Sequence, residues 1–123
     1  MRKALVVVVL LGGVGWWFWG RTLEPVRVIR AQLAAINQED YVQAYSYLSA
    51  AAKAKLSIGD LQALSRKNTT VMKTLDSTFF SRTIEENTAT ISGSLTGLDG
   101  RVSEVYYVLV KEKDRWAIQS FHW

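Results

Sequence analysis

Apolar and polar positions divide the chain into three regions with different periodicities. The first is an unbroken apolar run from Ala4 to Trp19, preceded by two basic residues. The second repeats apolar residues every three or four positions, which predicts helices. The third begins at Ser77 and is rich in Thr, Ile, Val and aromatic residues, which predicts strands. The expected order is therefore an apolar N-terminal segment, then helices, then strands.

The apolar run, residues 4–20, predicts a transmembrane signal anchor at 1–20. As a helix it would be about 25 Å long, slightly shorter than a hydrocarbon core of about 30 Å. Tryptophans at its far end and basic residues on both sides suit the headgroup level and extend its usable length. The predicted membrane-interface residues are Arg2, Lys3, Trp16, Trp17, Trp19 and Arg21.

Two other interpretations of this segment stay open. The basic start, the apolar stretch to Leu11 and the small residues Gly13 and Gly15 also fit a cleaved signal peptide, which would leave the protein secreted or periplasmic. A buried core helix is the other. Cleavage would expose a cluster of tryptophans on a soluble protein, so we expect a single-pass inner-membrane protein with its domain outside the cytoplasm. Basic residues flank both ends, so their count does not set the orientation.

Three helices are predicted before the strands. Pro25 suits the first turn of a helix, although this helix could also continue from the anchor. Asn37 is predicted to cap the second helix. Ser57 and Asp60 have the spacing of a capping box, opening a third helix that ends near Lys67. The apolar stripes are Val26, Ile29, Leu33 and Ile36 in the first helix, and Tyr41, Ala44, Tyr45, Leu48 and Ala52 in the second.

The strands are predicted at 77–86, 88–97, 101–112 and 115–122. Asp99-Gly100 and Lys113-Asp114 mark tight turns, so the strands should form an antiparallel meander. Helices followed by such a meander predict an α+β fold, in which residues 21–123 form one domain with helices packed on a curved four-stranded antiparallel sheet.

Three segments resemble the nuclear transport factor 2-like, or cystatin-like, superfamily of small cone-shaped domains. They are AAINQEDYVQAYSYLSAAAK, LSIGDLQAL and ATISGSLTGLDGRVSEVYYVLVKEKDRWAIQSF. Typical features are the pair Asp40-Tyr41 opening the second helix, a Gly in the second strand, and Trp116 two residues before Ile118 in the last strand. The resemblance covers roughly residues 24–122 and is closest to short membrane-anchored or secreted bacterial members of unknown function. It implies the fold and leaves the activity open.

Composition excludes several classes of function. The chain has no Cys and one His, so we expect no disulfide framework, no metal site and no cofactor. That histidine, His122, lies at a strand end that frays easily, which argues against a catalytic role. Without Arg2 and Lys3 the 15 basic residues become 13 against 11 acidic ones, so the formal charge falls from +4 to +2. The basic residues are scattered, and we expect no nucleic-acid binding.

Enzymes of the superfamily that the chain resembles carry their functional side chains in a pocket between the sheet and the helices. The candidates are Asp40, Tyr41, Tyr45, Glu104, Tyr106 and Trp116. Glu104 would have a raised pKa if its side of the third strand were buried, but it could equally project into solvent or pair with a neighbouring strand. Asp40 equally fits a charge at a helix start, and tyrosines at these spacings equally fit a core. No residue is predicted to be catalytic.

Both faces of the third strand are apolar, whereas a sheet covered on one side should alternate. Val105, Tyr107 and Leu109 lie on one face, and Val102, Tyr106, Val108 and Val110 lie on the other. We expect the face that the helices leave free to be covered by a second copy of the domain, as is frequent in the superfamily it resembles, or by another envelope protein.

The sequence thus predicts a non-catalytic, membrane-anchored binding or protein-interaction module outside the cytoplasm, in contact with lipid through residues 4–20. The first alternative is a member of the fold that binds or converts a small apolar molecule, with Glu104, Asp40 and Tyr45 in its pocket. A second is an accessory subunit that stabilises a membrane complex. An enclosed pocket of about 300 Å³ or more with an inward carboxylate would favour the ligand hypothesis, and a filled core with an exposed apolar sheet face the partner hypothesis.

Overall fold

The computed structural model describes residues 11–123, with side chains from Glu24 onward. Within this range five helices precede four strands. The helices are α1 (Leu11–Asn37), α2 (Tyr41–Ser46), α3 (Ala50–Lys55), α4 (Ile58–Arg66) and α5 (Thr69–Met72), and the strands are β1 (Thr74–Glu85), β2 (Thr88–Gly97), β3 (Val102–Glu112) and β4 (Arg115–His122). The strands form one sheet in the order β1-β2-β3-β4, with every neighbouring pair antiparallel. The predicted α+β arrangement of helices and a four-stranded meander is confirmed.

The first helix, α1, is a continuous helix of 27 residues that includes Pro25. The prediction that Pro25 lies in the first turn is wrong, because the helical backbone begins upstream at Leu11. Pro25 has no N–H to donate to the carbonyl of Arg21, so α1 loses one hydrogen bond here and bends most easily at this point. The alternative, a helix that continues out of the N-terminal segment, matches the observed backbone from residue 11.

Most of the predicted anchor falls outside the described side chains. Arg2 and Lys3 lie outside the described residues, and the side chains of Trp16, Trp17, Trp19 and Arg21 are also outside the described set. Among residues 11–123, no helix combines the length and the apolar composition that a membrane crossing needs. The anchor stays a prediction.

The start of the second helix differs from the prediction. Asn37 is the last residue of α1 and does not cap α2. The cap is Asp40, whose carboxylate accepts a hydrogen bond from the backbone N–H of Gln43 at 3.2 Å. Both residues are suitable caps, and the extra turn of α1 decides between them.

The predicted second helix is also interrupted, because the residues between α2 and α3 pair with β4. The N–H of Ile118 donates to the carbonyl of Tyr47, and the N–H of Ser49 donates to the carbonyl of Ile118, each at 2.8 Å. This short parallel bridge places Leu48 in the core beside the sheet. Ser49 then caps α3, its hydroxyl accepting from the N–H of Ala52 at 3.1 Å. Burial of Leu48 at the sheet edge thus replaces one turn of helix.

Of the elements that follow α3, one helix start was predicted correctly, one short helix was not predicted, and one strand begins earlier than predicted. The capping box of α4 is confirmed, since Ser57 and Asp60 each accept a hydrogen bond from the other's backbone N–H at 3.0 Å. The short helix α5 is not predicted; Asn68 caps it by accepting from the N–H of Val71. β1 begins at Thr74, three residues earlier than expected.

One face of the sheet, called here the covered face, packs against the helices. On the sheet side it is formed by Ala89, Ile91, Leu95, Val105, Tyr107, Leu109 and Ile118, and on the helix side by Val26, Ile29, Leu33, Ile36, Leu48, Leu61 and Val71. The predicted stripe of α1 is buried as a whole. These side chains fill the space between the layers, so the core lies where a ligand pocket of this fold would lie.

The other face, called here the open face, consists of the alternate residues that point away from this core. On β2 they are Thr88, Thr90, Ser92, Ser94 and Thr96, and on β3 they are Val102, Glu104, Tyr106, Val108 and Val110. Val102 is 64% exposed and Tyr106 is 47% exposed. The sheet therefore has one face committed to the core and one partly apolar face in solvent.

Candidate functional site

The three predicted pocket residues around α2 have structural contacts. Asp40 is exposed and caps α2. Tyr41 is buried, and its hydroxyl contacts the sulfur of Met72 at 3.2 Å. The hydroxyl of Tyr45 donates to the carbonyl of Leu56 at 2.7 Å and lies 3.1 Å from that of Lys53, so it fastens α2 to the end of α3. Each of these groups stabilises a helix end or a helix contact.

The other three predicted residues lie on the sheet and point to different sides. Glu104 and Tyr106 are exposed on the open face. Trp116 is buried near the start of β4, with the ammonium of Lys111 5.5 Å from its ring centroid. The structure therefore brings Glu104 and Tyr106 onto one surface and does not gather the six residues in one cavity.

A buried polar chain, which the sequence did not predict, crosses the covered face. The indole N–H of Trp123 donates to the hydroxyl of Tyr107 at 2.8 Å, and this hydroxyl donates to Oε1 of Gln32 at 3.1 Å. Burial raises the pKa of Tyr107, so the phenol keeps its proton and can donate. The sequence signal for this buried polar chain was Gln32, a polar residue within the apolar stripe of α1. The chain ties the C-terminus to β3 and α1.

An open groove of about 740 Å³ lies at the end of the domain where α1 enters it. We call it the basal groove. Three separate segments line it: the first described turn of side chains in α1, the α2–α3 region, and the β3–β4 hairpin. Its principal side chains are Glu24, Arg27, Tyr47, Lys53, Glu112, Lys113, Asp114, Arg115 and Trp116. The sequence did not predict it, because only the tertiary fold brings these segments together.

The β3–β4 hairpin places two of the groove's cations. Lys113 and Asp114 both have positive φ, of 51° and 65°, which matches the tight primed turn expected from the sequence. In this turn the chain reverses over two residues, so Lys113 and Arg115 stand at the rim on either side of Asp114. The predicted turn therefore places two positive charges at the rim of the groove.

The cations of the groove are not neutralised by ion pairs. Within the described part of the chain the ion pair found joins Arg101 to Asp99 at 3.6 Å, away from the groove. Arg27, Lys53, Lys113 and Arg115 consequently have no described carboxylate within 4.0 Å. Their guanidinium and ammonium groups are available as donors to an anion.

Two further polar groups complete the groove's chemistry. The carboxylate of Glu112 accepts from the N–H of Ala50 at 3.2 Å and is therefore engaged at the start of α3. Nε1 of Trp116 is buried and has no hydrogen-bond partner among the described residues. The groove thus combines four cations and three carboxylates with the ring of Trp116. The described residues contain no cluster of three or more His, Asp or Glu that could hold a metal ion.

The open face differs from the groove in having its charged side chains away from the middle: Asp76 and Glu85 lie near the two ends of β1, opposite Thr96 and Thr88. The apolar side chains of β3 run along its middle, with the Thr and Ser side chains of β2 on one side and Ala117 and Ser120 of β4 on the other. Tyr106 lies opposite Ser92, and Val108 lies opposite Thr90. Glu104 is the charged side chain in the β2–β3 part of this surface. The apolar middle of this surface suits contact with another partly apolar surface.

Comparison with known proteins agrees with this architecture. The family described as "Domain of unknown function (DUF4864)" matches residues 22–122. No curated protein is significantly similar to the chain. The solution structure of a SEC-C motif containing protein from Rhodopseudomonas palustris is similar with a TM-score of 0.62 and 11% identity, over 82% of this chain and 79% of that one. A crystal structure from Campylobacter jejuni, provisionally named an NTF2-like transpeptidase, is similar with a TM-score of 0.56 and 16% identity, over 78% of this chain and 97% of that one. These likenesses support an NTF2-like fold.

Proposed function

The chain belongs to the DUF4864 family, and we propose that it is a membrane-anchored, non-catalytic interaction module that pairs with a second copy of itself through the open face. In this proposal it is a cone-shaped, cystatin-like member of the NTF2-like fold that lies outside the cytoplasm. One observation carries the proposal: the covered face is filled, whereas Tyr106 and Val102 keep 47% and 64% of their surface exposed on the other face. A large exposed apolar patch on a small domain is typical of an interaction surface.

The size of the open face is adequate for a dimer. Four strands spaced about 4.8 Å apart are about 19 Å wide, and ten residues at about 3.3 Å each extend about 33 Å. Each copy would then contribute about 600 Å², and two copies about 1,200 Å², which is the lower end of the range for stable interfaces. The carboxylates of this face lie toward its borders, with Asp76 and Glu85 on the edge strand β1 and Glu104 near the start of β3, so the apolar middle of two copies could meet with little repulsion.

The predicted anchor strengthens such a weak interface. Two chains held in one membrane have a high effective concentration, so an interface of modest area can be occupied without high affinity in solution. The support for the anchor is the sequence of residues 4–20, whose apolar run is flanked by basic residues and ends in tryptophans.

Ligand binding or catalysis between the sheet and the helices has less support. Tyr107, Ile29 and Leu109 are fully buried in that space. The transpeptidase name belongs to the Campylobacter jejuni protein, and at 16% identity the likeness extends to the fold alone. Glu104, the carboxylate most open to a catalytic interpretation, is exposed on the open face.

Light scattering of the full chain in detergent tests the dimer. Tyr106→Lys places a charge in the middle of the open face, and we expect it to convert a dimer into a monomer. Val42→Lys is the matched control, since Val42 is 70% exposed on α2, away from the sheet, and this variant should stay dimeric. A wild-type chain that is monomeric, or a Tyr106→Lys chain that stays dimeric, would contradict the proposal.

Flotation with lipid vesicles tests the anchor. The double variant Val8→Asp, Leu11→Asp puts two charges into the apolar run, each costing about 2.5–3.5 kcal/mol at the middle of a membrane helix. We expect the wild type to float after an alkaline wash and the double variant to stay in the soluble fraction. A wild type that remains soluble would exclude the anchor without bearing on the open face.

A further inference from the structure

We propose that the basal groove binds the phosphate of an anionic phospholipid headgroup. The proposal rests on the membrane anchor proposed above and adds a lipid class and a site. Two observations carry it, namely the cations that line the groove without an ion pair and the wall formed by Trp116, and the proposed anchor sets the depth of the groove along α1.

The position of the groove follows from the continuity of α1. Glu24, Arg27 and Val28 line the groove and lie four to eight residues after Gly20, the last residue of the apolar run. Because α1 has no break between these points, a rise of 1.5 Å per residue places them about 6–12 Å beyond the hydrocarbon edge. The headgroup layer on each side of a bilayer is about 5–8 Å thick. The groove therefore opens at the depth of lipid phosphates or just above it.

The charges of the groove favour an anion at this depth. Arg27, Lys53, Lys113 and Arg115 have no described carboxylate within 4.0 Å. The groove also carries the three carboxylates of Glu24, Glu112 and Asp114, of which Glu112 accepts a hydrogen bond from the N–H of Ala50. The four cations exceed the three carboxylates by one charge, and phosphate oxygens are strong acceptors for guanidinium and ammonium groups.

The wall of the groove suits the same layer. Trp116 lines the groove with a ring that is 9% exposed, and its indole N–H is buried with no acceptor among the described residues. A mostly apolar wall beside cations suits the boundary between headgroups and hydrocarbon. Residues 112–117 of the hairpin would therefore lie against the headgroups while the open face remains free for the second copy.

NMR of the full chain in lipid nanodiscs tests the proposal. The readout is the indole N–H signal of Trp116, identified among the five tryptophans by its loss in Trp116→Phe. Discs of phosphatidylcholine are compared with discs in which phosphatidylglycerol replaces part of it. We expect a saturable shift of this signal with phosphatidylglycerol, and at least a tenfold preference for it over phosphatidylcholine.

Charge variants assign the effect to the groove. Lys113→Gln with Arg115→Gln removes two rim cations, each contributing about fivefold to the attraction to an anionic surface, so the preference should fall about 25-fold and disappear. Arg66→Gln with Lys67→Gln removes two cations at the end of α4, outside the groove, and should keep the preference within about twofold.

Results that contradict the proposal would separate the site, the lipid and the anchor from one another. Equal shifts in the Lys113→Gln, Arg115→Gln variant and the wild type would overturn the site. The same shift produced by inorganic phosphate in phosphatidylcholine discs would assign the groove to a free anion and contradict the lipid. A chain that floats with vesicles but has no preference for phosphatidylglycerol refutes this inference alone, whereas a chain that fails to float refutes the anchor as well.

Discussion

The two faces of the sheet have similar apolar residues on β3 but differ in how far these residues are buried. On β3, Tyr107 and Leu109 of the covered face are fully buried, whereas Tyr106 and Val102 of the open face remain 47% and 64% exposed. The sheet meets α1, α3 and α5, while α2 and α4 pack against these helices and each other, and the side chains of the covered face fill the interior. The open face carries an apolar strip between rows of Ser, Thr and small residues.

This difference separates folding from association. Burial of the covered face supplies the core of a domain of this size, and the apolar residues of the open face add little to it while they remain in solvent. Exposed apolar surface favours aggregation, so its presence along a central strand needs a reason other than the fold. Substitutions on the covered face should therefore change stability, and substitutions on the open face should change association.

The largest expected contrast is between one truncation on each face. Leu109→Ala leaves a cavity in the filled core and should lower the free energy of unfolding by about 2–5 kcal/mol. Val102→Ala removes a side chain that is already 64% exposed and should cost less than about 1 kcal/mol. Urea unfolding of the full chain in detergent measures both. Comparable losses would mean that the open face is part of the folding core.

Gly93 provides the next test, because β1 leaves no room for a side chain at this position of β2. A Cβ at this position would overlap the carbonyl oxygen of Thr78 and lie 2.7 Å from Cδ1 of Phe79, so Gly93→Ala should cost about 2–3 kcal/mol. Gly59→Ala is the matched control in α4, where the nearest atom is 3.7 Å away, and it should stabilise by about 0.5–1 kcal/mol. Thermal unfolding that gave both variants the same sign would contradict the account of the β1–β2 contact.

The buried polar chain of the covered face should have a smaller effect with a distinctive pH dependence. Tyr107→Phe leaves Oε1 of Gln32 and Nε1 of Trp123 without their partner and should cost about 1–2 kcal/mol near neutral pH.

Burial raises the pKa of Tyr107 above its usual value of about 10, so the folded protein keeps a proton that the unfolded chain loses in alkali. This contribution to stability is complete below about pH 10 and declines as the pH rises toward the folded pKa. Unfolding measured from pH 8 to 11 should show a steeper alkaline decline in the wild type than in Tyr107→Phe. Parallel curves would contradict the burial of this hydroxyl.

The smallest effect is expected at Glu104 on the open face. Glu104→Gln removes an exposed charge and should change stability by less than about 0.5 kcal/mol. The dimer should persist in light scattering, because the apolar strip beside Glu104 is unchanged. A loss of several kcal/mol would indicate that this carboxylate has a buried partner in the assembled protein.

The parts of the fold that depend on local signals could be predicted from the sequence. β2 alternates Ala89 and Ile91 with Thr90 and Ser92, and its observed bounds are the predicted ones. The capping box at Ser57 is equally local. The break between α2 and α3 could not be predicted, because it depends on pairing with Ile118, about 70 residues away. Helical periodicity around Leu48 gave no sign of that partner.

The site depended on information that the sequence pattern does not contain. Because β3 is apolar on both sides, its own pattern could not tell which side the helices cover. The pairing of Tyr107 with Ile91 decides this, since it places Tyr107 on the buried side of β2. The basal groove is assembled from segments about 20 to 90 residues apart in the chain. Its cations were visible in the sequence, but their proximity was not.

The most direct test of the central claim is disulfide crosslinking on the open face. The chain has no Cys, so a single introduced thiol reports on one position. Ser92 lies opposite Tyr106 in the middle of the open face, and Ala63 is an exposed control on α4. In native membranes under mild oxidation, Ser92→Cys should form covalent dimers in at least tenfold higher yield than Ala63→Cys. Equal yields from the two variants, or no dimer from Ser92→Cys, would contradict pairing through the open face.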